Sequence, residues 1–86
     1  MAELTDRRLQ PLTAQVRARR RALGLSQEEV ADLAGCSERF VYSLEQGKAS
    51  VHLGKVLDVL GVLGLGLKVE PGAGTVTTSA NARTPT

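Results

Sequence analysis

The stretch from Leu25 to Lys48, LSQEEVADLAGCSERFVYSLEQGK, constrains the fold more than any other because it carries its own starts and stops. Ser26 stands three residues before Glu29. At that spacing the hydroxyl accepts from the Glu29 amide while the carboxylate accepts from the Ser26 amide. Val30, Leu33 and Ala34 follow at helical spacing and predict one apolar face. Gly35 predicts the end of that helix, since a left-handed residue costs glycine almost nothing. Ser37 is a second N-cap, Val41 and Leu44 are the next apolar stripe, and Gly47 is the next stop. The expectation is two short helices joined by a tight, glycine-containing turn.

That arrangement reads as a helix-turn-helix, and its function follows from what the second helix leaves outside. Opposite Val41 and Leu44 lie Arg39, Tyr42, Ser43 and Gln46, with Glu38 on the flank of the first turn. All five can hydrogen-bond. An α-helix fits the DNA major groove, and the N-terminal part of such a helix meets the base edges. Glu38, Arg39, Tyr42 and Ser43 are therefore the candidate base readers. Arg39 leads them because its planar fork matches O6 and N7 of guanine together. Glu38 can accept from a cytosine amine, while its charge disfavours nearby phosphates. The plain alternative is a solvated polar face on an ordinary surface helix, and the doubly capped turn weighs against it.

Charge is distributed unevenly. The net +2 conceals +4 over residues 1–23, which hold six arginines, −3 over residues 24–48, and +1 over the remainder. Phosphate-neutralising charge must come largely from the first helix and from the loop after Gly47, so one copy should bind DNA weakly. The candidate phosphate ligands are Gln27, Arg17, Arg21, Gln46, Lys48 and Ser50.

With 86 residues the chain holds one small domain, and a monomer of that size is marginal. Its single cysteine, Cys36, permits no internal disulfide and sits where the turn needs a small apolar residue. No metal-ligand cluster, Gly-rich phosphate loop or motif-placed nucleophile is present, so neither enzymatic activity nor a cofactor is expected. His52 stands alone and reads as a surface or cap residue. No apolar run is long enough to span a bilayer, the first residues lack the pattern of a signal peptide, and a cytoplasmic protein is expected.

Residues 1–10 read as a flexible arm or a short separate turn, with Arg7 and Arg8 touching phosphate or simply solvated. Helix one is expected from about Thr13 to Leu23, with Leu12, Val16 and Leu23 as its apolar stripe. Arg20 falls on that stripe while Arg17 and Arg21 point away. An arginine facing a core needs a partner. Glu45, at the edge of the buried face of the recognition helix, is the candidate; otherwise the Arg20 stem snorkels to water.

After Gly47, the loop Lys48-Ala49-Ser50 can hold a phosphate, with Ser50 as a candidate cap for the next helix. Leu53, Val56, Leu57 and Leu60 form that helix's main stripe, and Val59, Val62 and Leu63 widen the apolar arc beyond what one core contact needs. Excess apolar surface points to a partner. The period then changes to two: Leu65, Leu67 and Val69 face one way and Gly66, Lys68 and Glu70 the other, until Pro71 and Gly72. A lone strand leaves its backbone groups unpaired, so antiparallel pairing with a second copy is expected. Leu65, Leu67, Val69 and Val62 would then line a homodimer interface. Two recognition helices would read a palindrome and their phosphate contacts would add. The alternative is an extended tail that merely covers helix four. Residues 72–86 are too poor in apolar side chains to fold alone and read as a disordered tail.

The pattern VRARRRALGLSQEEVADLAG followed by CSERFVYSLEQGK resembles the XRE-type helix-turn-helix family, which includes the lambdoid phage repressors and Cro. The resemblance covers roughly Thr13 to Leu63. It implies that Gln27 contacts a phosphate and braces Glu38, that Arg39 and Ser43 read bases, and that Arg20 and Glu45 form the family's paired arginine and glutamate. Glu38 stands where glutamine is common, and Phe40 where a small polar residue is common; packing on a neighbouring loop is expected of Phe40. With the segment SLEQGKASVHLGKVLDVLGVLGLGLKV added, the chain is similar to the HipB-like antitoxins. That likeness implies a repressor of its own operon that also binds a HipA-like kinase toxin.

The expected fold is thus all-α: a small helix-turn-helix bundle of four to five helices with one C-terminal β-strand pairing across a homodimer. The arm occupies residues 1–10, the DNA-binding domain 11–64, the dimerising strand 65–71 and the tail 72–86. Double-stranded DNA is the expected partner, with no membrane. A protein-interaction module using the same helices without specific DNA binding is the competing class, kept open by the acidic recognition region.

Overall fold

The computed structural model describes residues 5–48 and 52–79. A 3-10 turn, Arg7–Leu9, leads directly into α1 (Gln10–Ala22), followed by α2 (Gln27–Ala34), α3 (Glu38–Glu45) and α4 (Leu53–Val62). The four α-helices and the small-bundle architecture are those expected.

The local signals act as read. The Ser26 hydroxyl accepts from the Glu29 amide at 3.0 Å and the Ser26 amide donates to the Glu29 carboxylate at 2.8 Å, which closes the capping box of α2. Gly35 ends that helix at φ 75°, in the left-handed region. The Ser37 hydroxyl takes the Phe40 amide at 3.0 Å and starts α3 within two residues of the turn. Among the described residues nothing lies within 4 Å of a Cβ built on Gly35, so Gly35→Ala meets the backbone penalty. Thermal melts should show a loss of about 1 kcal/mol, or roughly 4–8 °C for a domain of this size. An unchanged melting temperature would contradict this account of the turn.

α2 packs against both α3 and α4, and α1 packs against α3. The core between them consists of Val16, Val30, Ala31, Val41, Leu44, Val56, Val59, Leu60 and Leu63. Several expected faces are rotated. On α2 the buried pair is Val30 and Ala31, while Leu33 is exposed because α4 and α3 both lie on the other side. On α1 Thr13 and Val16 are buried and Leu23 is exposed. On α4 the stripe turns toward Val56, Val59, Leu60 and Leu63, leaving Leu53 and Leu57 in solvent. A helix with so broad an apolar arc can be seated in more than one rotation, and neighbouring helices choose among them.

Three boundaries are corrected. α1 begins at Gln10 rather than Thr13, with Pro11 in its first turn, where a missing amide costs nothing. Residues 5–10 belong to the folded body: the Asp6 amide donates to the Gly47 carbonyl at 2.9 Å, and Thr5 and Lys48 form an isolated antiparallel bridge. The cap of α4 is His52, without a side-chain hydrogen bond; Ser50, the expected cap, lies outside the described residues.

Residues 65–70 have no regular structure in the single chain, and among the described residues no strand is formed. A strand needs a neighbour to complete its ladder. Leu65 folds back, its amide donating to the Leu60 carbonyl at 2.8 Å, while Leu67 is 46% exposed and Val69 96%.

Candidate nucleic-acid interface

α3 is seated by Val41 and Leu44, both fully buried, so its opposite side faces solvent. Glu38, Arg39 and Gln46 are exposed there, Tyr42 is half exposed and Ser43 half buried. Among the described residues neither Glu38 nor Arg39 makes a side-chain hydrogen bond. The Ser37 cap ends the turn immediately before them, so both project from the first turn of a stiff helix. An exposed, unengaged guanidinium at this position is available to a base edge.

The orientation of α3 is set from beneath by a buried charge cluster. Glu45 is 4% exposed at the C-terminal end of α3. Arg20 of α1 meets it in a bidentate pair, Nε to Oε2 at 2.6 Å and Nη2 to Oε1 at 3.0 Å, and also donates to the Leu25 carbonyl at 3.0 Å. Gln27 at the start of α2 donates to Glu45 Oε1 at 3.1 Å. Arg17 donates to the Glu45 main-chain carbonyl at 3.2 Å and lies 3.6 Å from its carboxylate. One carboxylate therefore ties α1, α2 and α3 together. Burial pushes the Glu45 carboxyl upward, but the hydrogen bonds from Arg20 and Gln27 and the charges of Arg20 and Arg17 outweigh it and hold it below the ordinary range. The Arg20 guanidinium is raised by its bond to Glu45.

Two expectations change here. Arg17 does not point away from the fold; its reach is long enough to find the unsatisfied carbonyl at the end of α3. Gln27 is turned to Glu45 rather than bracing Glu38. Of the other candidate phosphate ligands, Arg21 and Gln46 are exposed and Lys48 is half buried beside Thr5. Phe40 packs against the core, with the Lys55 ammonium 5.9 Å from its ring centroid. Cys36 also packs against the core, and burial raises its thiol pKa.

Arg19 was invisible in the sequence: its Nε donates at 2.9 Å to the Leu63 carbonyl at the end of α4. α4 has no basic residue in its own last turn, so its final carbonyls need a donor from elsewhere. That need is the signal; the donor's address is not.

The family model described as a helix-turn-helix domain matches residues 11–70. The chain belongs to this family. The XRE-type helix-turn-helix membership read from Thr13 to Leu63 stands. A relative, the "Uncharacterized HTH-type transcriptional regulator y4mF" of Sinorhizobium fredii (strain NBRC 101917 / NGR234), is 43% identical over 56 residues, spanning 65% of this chain and 74% of its own. Two solved structures superpose with a TM-score of 0.68 at 16% identity, covering 85% of this chain and all of theirs: an "MDT Protein" and a chain of a "HipA-HipB-O2-O3 complex". At that identity the likeness is one of fold. Family and relative together make this helix-turn-helix protein a DNA-binding transcriptional regulator. No helix among the described residues is long and apolar enough to cross a membrane.

Proposed function

We propose that this helix-turn-helix protein is a cytoplasmic autorepressor that binds a palindromic operator as a homodimer and serves as the HipB-like antitoxin of a toxin–antitoxin operon. The observation that carries the reading is the outward edge of α3, with Arg39 exposed and without a side-chain bond among the described residues, above a helix locked from below by the Arg20–Glu45 pair. Arg39 reads a guanine, flanked by Glu38, Tyr42 and Ser43. Gln27, Arg17, Arg21, Gln46, Lys48 and Ser50 supply phosphate contacts.

Dimerisation rests on the apolar surface that one chain leaves uncovered. Leu53 and Leu57 of α4 and Leu67 and Val69 beyond it are exposed, beside half-buried Val62 and Leu65. The family match also runs through residue 70, which supports counting this segment with the domain. Residues 65–71 pair antiparallel with their copy and bring two recognition helices onto one operator. The HipA-like kinase partner is supported by the fold neighbour that comes from a complex of HipA with HipB.

Fluorescence anisotropy on a fragment from upstream of the protein's own gene, beside a scrambled fragment and at two salt concentrations, tests the DNA reading. Preferential binding to the upstream fragment that weakens steeply with salt is expected. Equal, weak binding to both would favour a protein-interaction module, for which the exposed acids Glu28, Glu29, Asp32 and Glu38 speak. Leu67→Asp is expected to shift sedimentation from dimer to monomer at micromolar concentration, and an unchanged mass would remove the strand from the interface. Co-expression with a HipA-like kinase of the same genome should yield a stable complex; separate elution counts against the antitoxin role.

A further inference from the structure

The docked N-terminal segment builds a cleft that brings Arg7 beside Arg17 and Gln46, two of the phosphate ligands proposed above. Residues 5–9 lie against the turn that closes α3, held by the Asp6–Gly47 main-chain bond and the Thr5–Lys48 bridge. Between this segment, the start of α1 and that turn is a cleft of about 310 Å³, walled by Arg7, Gln10, Thr13, Arg17 and Gln46.

Both acids on its wall are committed elsewhere. The Asp6 carboxylate takes the Arg8 amide at 2.9 Å and the Arg8 guanidinium at 2.6 and 3.0 Å, and these bonds hold it down at a pKa of about 2. Glu45 is buried under Arg20 and Gln27. α1 itself has no side-chain cap and no acidic residue in its first turn; the Asp6 carboxylate instead caps the 3-10 turn that leads into it. Arg7 adds a full charge that no acid among the described residues pairs, and Arg17, 3.6 Å from the Glu45 carboxylate, adds one that is partly offset. The cleft therefore attracts an anion. Gln46 is exposed and reaches from the outer side of α3 into this wall, so an anion here lies at the edge of the groove-reading face.

We propose that this cleft holds one backbone phosphate of the bound DNA, with Arg7 as its principal ligand and Arg17 and Gln46 as further donors. The proposal rests on the DNA-binding reading and deepens it. Residues 5–10 become a preformed clamp on the duplex, already ordered before binding, so little conformational entropy is lost when the phosphate enters. Because the contact is to backbone, it strengthens binding to every sequence alike and sets the register of α3 on the duplex.

The test uses the full chain and Arg7→Ala, a residue exposed in a short 3-10 turn whose loss leaves the core intact. Affinity should fall roughly threefold to tenfold on operator and scrambled DNA alike, and the slope of log affinity against log salt should flatten by about 1 per protomer. A scan of single methylphosphonate substitutions in the operator should then find one position per half-site that weakens the wild type but not Arg7→Ala. Full additivity at every position, or an Arg7→Ala variant that binds as the wild type does, overturns the clamp while leaving the Arg39 reading intact. Wild-type protein that binds no DNA overturns both. If inorganic phosphate shifts the amide resonances of Arg7 and Gln10 while Arg7→Ala leaves DNA affinity unchanged, the cleft serves a free anion and the proposal fails.

Discussion

Glu45→Ala is expected to cost on the order of 3–5 kcal/mol, the range found when one partner of a buried ion pair is removed. A domain of this size has roughly 5–15 kcal/mol in total, so the variant should be largely unfolded at physiological temperature or melt far below the wild type. The size of the effect follows from what the carboxylate leaves behind. Arg20, with its side chain 12% exposed, would retain a charge facing a void, and Gln27 would lose its acceptor. Arg17 suffers less because its side chain is 41% exposed and water can replace the lost contact. Replacing both Glu45 and Arg20 by leucine should recover most of the loss, since apolar residues of similar volume often match or exceed a buried pair. Urea denaturation of the three proteins decides it. A single-variant loss below about 1 kcal/mol would mean that the pair is solvated and does not set α3. The same cluster gives a pH dependence with a definite sign. The carboxyl is depressed in the folded state, so its contribution is fully present above the ordinary value of 4.5 and is lost as pH falls through the folded value. Acid titration of the melting temperature should therefore decline below pH 4.5 in the wild type and decline less in the leucine pair.

Arg39→Ala is expected to abolish preference for the operator without touching the fold. A bidentate arginine–guanine contact discriminates by about 1–3 kcal/mol, which is roughly fivefold to 150-fold per half-site. On a dimer the two losses compound, so operator affinity should approach that for scrambled DNA. Affinity for scrambled DNA should change little, because non-specific binding comes from phosphates. The melting temperature should be unchanged, since the side chain is exposed and makes no hydrogen bond among the described residues. Anisotropy on matched and scrambled fragments reads both quantities at once. Equal losses on the two DNAs would make Arg39 a phosphate ligand, the role proposed for Arg7. The two arginines thus have opposite signatures, one selective and one uniform.

Much of the fold was legible from residue types at short spacing. Ser26, Glu29, Gly35 and Ser37 specify helix ends through bonds that close within about four residues, so the chain needs no distant partner to execute them. Arg20 was legible for a different reason: a charge on an apolar stripe demands an opposite charge, and Glu45 offered one at the edge of the facing stripe. The outward set on α3 followed from the same periodicity, once Val41 and Leu44 are inside.

What only the tertiary structure decided involves partners far apart in the chain. Arg17 and Glu45 are 28 residues apart, and Arg19 and Leu63 are 44 apart, and both contacts satisfy helix-end carbonyls whose need is visible but whose donor is not. The docking of residues 5–9 against Gly47 depends on main-chain hydrogen bonds, which carry no side-chain signature. The rotation of α4 is set by α2, because its many apolar residues can seat in several ways and only the facing surface selects among them. Short-range capping and periodicity belong to the sequence because their energies are local. The assembly of the charge cluster and the phosphate cleft belongs to the packed bundle, because it exists only once three helices and the N-terminal segment have met.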